Sequence, residues 1–153
     1  MAFLSSFNIS GSGMTAERFR LDVVSENIAN VNTTRTPDNK GPYRRKLTVF
    51  QERTYGNSFK GILETAANRR ITADKKPYLG VRVTQVVEDQ TELTPAYDPS
   101  HPDADENGYV MLPNVDLIKE TVDAMSATRA YEANITAFNA MKSMAQKAME
   151  IGQ

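Results

Sequence analysis

Apolar residues recur at helical spacing at both ends of the chain. Near the N-terminus they are separated by three, four or seven positions, which places them on one helical face: Met14, Leu21, Val24, Ile28 and Val31. Gly11 and Gly13 each weaken a helix by about 1 kcal/mol relative to alanine. We therefore expect this helix to be firm only from about Thr15, and Pro37 ends any continuation.

The C-terminal end carries a longer helical pattern. Val115 to Ile151 contains neither proline nor glycine, with Asn114 as the predicted N-cap and Asp116 in the first turn. Its apolar positions follow a degenerate heptad, which predicts a coiled-coil-like seam: Leu117, Ala124, Tyr131, Ile135 and Phe138. Alanines widen the apolar surface beyond this seam and leave a narrow polar stripe. The helix is expected either to touch several neighbours or to be the core helix of a small bundle.

The middle of the chain has a different character. All seven prolines lie between Pro37 and Pro113. Alternating and β-branched residues predict strands over 45–50 and 81–87, with a short helix over 64–70 and an extended or turning connector over 94–114. The predicted fold is mainly α, with paired terminal helices and a small β-rich, irregular middle. Residues 1–36 and 114–153 would form one discontinuous helical domain, and residues 37–113 an outer domain.

Composition and charge narrow the functional classes. Hydrophobic residues make up 40% and charged residues 24% of the chain, and 18 Lys and Arg stand against 19 Asp and Glu. This balance is typical of a globular protein and does not favour nucleic-acid binding or docking to an anionic membrane. No apolar run approaches the ~20 residues that span a bilayer, so direct membrane insertion is not expected. The first basic residue is Arg18, and no secretory signal peptide is predicted.

Candidate chemistry is sparse. The chain has no cysteine, which excludes disulfides, thiol nucleophiles and Cys-ligated metals. Asp103 to Gly108 matches the start of a calcium loop, but its twelfth position is Asn114 instead of a bidentate Glu, so an acidic turn is expected. His101 is the only histidine and lies in a loop without an orienting carboxylate. The basic triplet 44–46 is interpreted as a strand edge. We predict no catalytic, cofactor-binding or metal-binding residue.

Four stretches resemble one protein family. Residues 25–33, Ser-Glu-Asn-Ile-Ala-Asn-Val-Asn-Thr, resemble the Asn-rich signature of bacterial flagellar rod and hook proteins, and residues 114–116 with 126–134 resemble their C-terminal helix. Residues 41–46 and 97–110 are similar to the C-type, proximal-rod branch of that family. The resemblance covers 1–50 and 79–153 but not 51–78. It rests on ten family-motif positions: Asn27, Ala29, Asn30, Asn32, Thr33, Asn114, Asp116, Arg129, Tyr131 and Asn134.

The resemblance implies a structural function. Rod subunits of this family are exported unfolded through the flagellar type III apparatus without a cleaved signal. In the periplasm they assemble helically with copies of themselves and with other rod subunits into a hollow, torque-transmitting shaft. Further expected partners are the membrane-embedded ring and its rod adaptor. No cofactor, catalysis or nucleic acid is implied. The terminal helices would pair and line the tube.

Periodicity adds a packing hypothesis. Leu21, Val24 and Ile28 would face the C-terminal helix, within a subunit or between subunits, at Leu117, Tyr131, Ile135 and Phe138. Three alternatives remain at this point: another rod subunit of the same family, a generic helical protein–protein interaction module, and a calcium-dependent protein using the acidic turn.

Overall fold

A computed structural model describes residues 2–37, 41–53 and 79–151, with Phe59, Leu63 and Ala66 as isolated positions. In chain order its elements are α1 (Ala2–Ala29), β1 (Lys46–Glu52), β2 (Val81–Glu88), β3 (Thr94–Tyr97), β4 (Tyr109–Leu112) and α2 (Leu117–Ile151). A helix at each end and a strand-containing middle confirm the coarse prediction. The short helix predicted over 64–70 lies outside the described residues, apart from Ala66.

The N-terminal helix begins much earlier than the glycines predicted. It runs from Ala2 through Gly11 and Gly13, so the expectation that the helix is firm only from about Thr15 is wrong. The reason is packing against α2. A Cβ built on Gly13 would lie 2.8 Å from Oδ1 of Asn134, so the glycine lets the Asn134 side chain of α2 lie directly against α1. Glycines lower the intrinsic stability of this part of α1, and tertiary contacts of this kind compensate for the loss.

The start of α2 corrects the predicted N-cap. Oδ1 of Asp116 accepts hydrogen bonds from the backbone N–H groups of Ile118, at 2.9 Å, and Lys119, at 3.4 Å. Asp116 is therefore the capping residue, one position before the helix, and the prediction of Asn114 was wrong. The two backbone bonds favour the ionised carboxylate, which lowers the pKa of Asp116 below its usual value.

The strands form two separate pairs. β1 pairs with β2, confirming both predicted strands, and β3 pairs with β4. The N–H of Arg53 donates to the carbonyl of Gly80 and that of Asp89 to the carbonyl of Arg45, so β1 and β2 run antiparallel.

The second pair is a four-residue antiparallel ladder, from Thr94 opposite Leu112 to Tyr97 opposite Tyr109. The sequence predicted only a connector here. Pro95 has no backbone N–H to donate to a ladder, but each strand of a two-stranded ladder is an edge, and an edge tolerates proline where no ladder bond is needed from its nitrogen.

The described residues group into two compact units. The first unit draws on the ranges 1–18, 50–84 and 128–153, and the second on 19–49 and 85–127. Within the first, the Phe7 and Phe138 rings pack edge to face with centroids 4.8 Å apart. In the same unit, Oγ of Ser12 accepts a hydrogen bond from the N–H of Val81. The second unit contains the buried polar cluster described next.

Candidate functional site: a buried polar cluster

Asn27 is the centre of a polar cluster in the second unit. Its side chain is 1% exposed and makes four hydrogen bonds. The amide Nδ2 donates to the carbonyl of Lys46 at 2.9 Å and to Oε2 of Glu120 at 3.0 Å. Oδ1 accepts from the N–H of Lys46 and the hydroxyl of Tyr43, both at 2.9 Å. Both donors and both acceptor sites of the amide are thus satisfied within the chain.

The two bonds to Lys46 have a specific consequence. The Asn27 side chain hydrogen-bonds to both the N–H and the C=O of Lys46, as the backbone of a neighbouring strand does in a β-sheet. The end of α1 is thereby fixed to the first residue of β1. The amide of Asn carries its acceptor and its donor on one carbon, which matches the spacing of these two backbone groups, and a Gln would place the same amide one methylene further from the helix.

Glu120 brings a charge into the same cluster. It is the largest fully buried side chain in the described part of the molecule, at 0% exposure. Oε1 accepts from Nε of Arg45 at 2.5 Å, while Oε2 accepts from Asn27. A buried carboxylate is strongly unfavourable unless it is paired and hydrogen-bonded, and here both oxygens have partners.

Arg45 distributes its charge over several carboxylates. Beyond Glu120, its Nη2 donates to Oδ2 of Asp123 at 2.9 Å, and its Nη1 lies 3.9 Å from Oδ2 of Asp89. Burial by itself lowers the pKa of Arg45, but the hydrogen bond and charge of Glu120, with the charges of Asp123 and Asp89, raise it overall. Arg20 donates to the other oxygen of Asp123. The cluster therefore alternates positive and negative groups.

Tyr43 closes the cluster on one side. Its side chain is 6% exposed, and its hydroxyl donates to Asn27. Burial, followed by the nearby carboxylates of Glu26, Glu120 and Glu88, raises the pKa of Tyr43 to about 12. The phenol is therefore neutral at physiological pH and serves as a hydrogen-bond donor.

Asn114 fixes the segment that precedes α2. Its Oδ1 accepts from the backbone N–H of Arg45 at 2.8 Å. Its Nδ2 donates to the carbonyl of Asp89 and to the hydroxyl of Thr91. Asn114 thus joins the start of β1 to the turn after β2, which explains an asparagine here better than the predicted helix cap.

The Asn-rich signature ends α1. Nδ2 of Asn30 donates to the carbonyl of Glu26, and Oδ1 of Asn30 accepts from the hydroxyl of Thr33. The carbonyl of Thr33 in turn accepts from the N–H of Tyr43. These bonds hold the chain in its turn after the helix ends, in addition to the backbone bond from Asn30 to the carbonyl of Glu26. Ala29 and Asn32, the other two motif positions, are exposed.

The C-terminal motif residues lie in the first unit. Asn134 packs against Gly13, and its Nδ2 donates to the carbonyl of Ala130. Tyr131 is half-buried and Arg129 is exposed. The structure therefore brings together Asn27 and Asn114 through Arg45 and Lys46, whereas Arg129, Tyr131 and Asn134 belong to a different set of contacts.

The predicted packing residues show a range of burial. Val24 is 6% exposed and Leu117 is 51% exposed. The remaining eight are half-buried: Met14, Leu21, Ile28, Val31, Ala124, Tyr131, Ile135 and Phe138. In the first turns of α2 the buried positions are instead Glu120 and Ala127. The facing of the two helices along the predicted seam stays a prediction.

In the acidic turn, residues 103–108, the carboxylates of Asp103 and Asp105 accept hydrogen bonds from other groups of the chain. Asp103 accepts from the hydroxyl of Thr34 and from Arg35, and Asp105 accepts from the N–H groups of Asn107 and Tyr109. Among the described residues, no group of three His, Asp or Glu side chains is placed to hold a metal ion. Gly108, with φ of 78°, closes the turn in the left-handed conformation that favours glycine.

Sequence reasoning missed Tyr43, Arg45 and Glu120 as members of one cluster. A signal for Glu120 was present: it shares a helical face with Ala124 and Ala127, four and seven positions later. A carboxylate on the small, apolar face of a helix needs a partner. Identifying that partner as Arg45, 75 positions away, requires the fold.

Comparison with known proteins finds matches at both ends and over the whole chain. Residues 7–35 match the profile described as "Flagella basal body rod protein", and residues 106–151 match "Flagellar basal body rod FlgEFG protein C-terminal". The chain is similar to the flagellar basal-body rod protein FlgC of Bacillus subtilis, at 46% identity over 100% of both chains. It is 46% identical to that of Borreliella burgdorferi, over 100% of this chain and 99% of the relative. For Salmonella typhimurium the identity is 40% over 100% of both.

Proposed function

Because the chain belongs to the flagellar basal-body rod protein family, of the FlgC type, we infer that it is a structural subunit of the proximal rod. The family is structural and not enzymatic. The observation that carries this conclusion is full-length identity of 40% or more to three FlgC proteins. The fold agrees with it in outline, since a helix at each end of the chain flanks a strand-containing middle region.

The subunit would assemble helically with copies of itself and with other rod subunits. Contacts between unlike patches that do not close into a ring generate such a helical array. Large apolar side chains exposed on α2 support this, including Met144 at 59% and Met149 at 66% exposure. On this proposal the terminal helices, residues 1–36 and 114–153, pair in a coiled-coil-like manner and line the tube, and residues 37–113 lie outside them.

Export and location follow from the same family membership. The subunit would pass unfolded through the flagellar type III apparatus, without a cleaved signal, and reach the periplasm. There it would contact the membrane-embedded ring and its rod adaptor and transmit motor torque to the hook. No described helix is apolar enough over its length to cross a membrane.

The buried polar cluster would give the subunit its mechanical integrity. It ties the end of α1, the start of β1 and the start of α2 together through directional hydrogen bonds. The buried carboxylate of Glu120 has to keep its partners Asn27 and Arg45, because an arrangement that separates them leaves buried polar groups unpaired. A torque-bearing subunit requires that property.

A substitution in the first unit tests the rod function. Phe138→Asp places a charge against the ring of Phe7 and should abolish motility, while cellular protein level and export stay mostly unchanged. Ser143→Asp, at an exposed position of the same helix, is the matched control and should swim normally. Normal motility of the Phe138→Asp strain would contradict assembly through this helix.

A further inference from the structure

The first turns of α2 carry an exposed apolar stripe. Ile118, Val122 and Met125 are exposed by 76%, 60% and 56%, and their spacing places them on one helical face. At about 100° per residue, this face is roughly opposite to Glu120 and Ala127, the buried side of the same turns. We call these three residues the α2 stripe. Three large apolar side chains exposed side by side on one helical face form a patch of the kind that marks protein–protein contacts.

The second unit also has a partly apolar groove, which is separate from the α2 stripe. It has a volume of about 370 Å³ and runs between α1 and the strands β1 and β2. Its apolar lining is formed by Phe19, Val23 and Val86, of which Phe19 is 42% and Val86 40% exposed. We call it the α1 groove. Because it is formed by α1 and strands, and the stripe by the outer side of α2, the two are distinct patches.

The charges of the two patches are complementary. The α1 groove is bordered by three carboxylates, those of Asp22, Glu26 and Glu88, and by one ammonium, that of Lys46. Lys46 is already paired with Glu26, so the border is acidic. Beside the α2 stripe, Lys119 has a side chain 75% exposed, with only a loose 3.7 Å contact to Asp116. Such an exposed pair holds a lysine weakly and leaves it available to another carboxylate.

We propose that the α1 groove of one subunit receives the α2 stripe of a second copy of this chain, with Lys119 lying against Glu88 at the border. The proposal rests on the rod function and specifies one of its contacts. Since the two patches differ, each subunit offers one and accepts the other, which makes the contact heterologous. Repetition of a heterologous contact that does not close produces an open helical array.

Cysteine cross-linking tests the contact in assembled rods. The chain has no cysteine, so the pair Phe19→Cys and Val122→Cys introduces the only thiols. The full-length double variant is expressed in place of the natural chain, and purified basal bodies are oxidised. Products of two and more copies are expected from the double variant and absent from either single variant. A control pair, Phe19→Cys with Asn107→Cys at an exposed loop position, should give none.

Two results would overturn the proposal. Absence of the cross-link in basal bodies that contain the double variant would show that these faces do not meet, while the rod function would stand. Dimers from a single variant would show a symmetric contact between identical patches instead. Absence of the wild-type chain from purified basal bodies would instead contradict the rod function itself, so the two failures are distinguishable.

A charge swap gives a second readout that does not depend on oxidation. Lys119→Glu and Glu88→Lys should each lower the spreading rate in soft agar several-fold, by placing like charges at the border. The double variant restores the opposite pair and should regain most of the wild-type rate. If both single variants spread normally, or if the double variant is no better than either at equal protein level, Lys119 and Glu88 do not meet.

Discussion

Asn27 and Glu120 are 93 positions apart in the chain, yet they share a 3.0 Å hydrogen bond between two fully buried side chains. One lies near the end of α1 and the other in the first turn of α2. Neither could be buried alone, because an unpaired amide or carboxylate away from water is strongly unfavourable. The contact therefore forms only when the two ends of the chain and the start of β1 come together.

Replacing Asn27 should destabilise the second unit markedly. Asn27→Ala leaves Tyr43, Glu120 and both backbone groups of Lys46 without this partner, and we expect a loss of about 3 kcal/mol in the free energy of unfolding. Urea unfolding followed by circular dichroism measures it. Asn32→Ala, at an exposed motif position, should change stability by less than about 0.5 kcal/mol. Equal urea midpoints for the two variants would refute the role assigned to Asn27.

The Glu120–Arg45 pair should show strong coupling. Glu120→Ala leaves Nε of Arg45 and Nδ2 of Asn27 without their carboxylate acceptor, although Asp123 and Asp89 still lie against the guanidinium, and it should cost about 3 kcal/mol. Because the bond to Glu120 is then already gone, adding Arg45→Met should cost less in the Glu120→Ala variant than in the wild type. A double-mutant cycle on the same urea scale measures the coupling. Strict additivity of the two single losses would mean that the pair contributes nothing specific.

The two glycines of α1 should respond in opposite ways to alanine. Gly11→Ala meets no atom within 4 Å and should stabilise the helix by up to about 1 kcal/mol. In Gly13→Ala the new Cβ would lie 2.8 Å from Oδ1 of Asn134, so this side chain has to shift and disturb its bond to the carbonyl of Ala130. We expect this cost to exceed the gain in helix propensity and to give a net loss of about 1 kcal/mol. Thermal melts of both variants measure the two changes in stability, and a gain in both would show that the Asn134 side chain does not hold its place against Gly13.

Tyr43 should make the fold sensitive to alkali. Its pKa is raised from 10.0 to about 12, so the folded state favours the neutral phenol. Stability from this group is fully present below pH 10 and is lost as pH rises toward 12. The difference in unfolding free energy between wild type and Tyr43→Phe should therefore shrink over that interval. A difference independent of pH would indicate that Tyr43 titrates normally.

Local patterns predicted the elements that depend on local interactions. The apolar spacing of α1 and α2 and the β-branched runs of β1 and β2 were sufficient to locate all four, although α1 starts earlier because Gly13 packs against Asn134. β3 and β4 were missed because each has only four residues and Pro95 lies within one of them.

The polar cluster could not be derived in the same way. Asn27 and Asn114 were recognised as motif residues, but their partners are fixed by contacts across 16 to 93 positions. Arg45 looked like part of an exposed basic edge until the fold placed it against Glu120 and Asp123. Spacing reveals which residues share a helical face but not which distant side chain a buried charge pairs with.

The most direct test of the central claim is to delete the gene and examine purified basal bodies by electron microscopy, with motility scored in parallel. If the chain is a proximal-rod subunit, the deletion strain is non-motile, its basal bodies lack a complete rod, and the wild-type gene restores both. Motile cells with complete rods, in a strain without a second copy of the gene, would contradict that function and favour a helical interaction module.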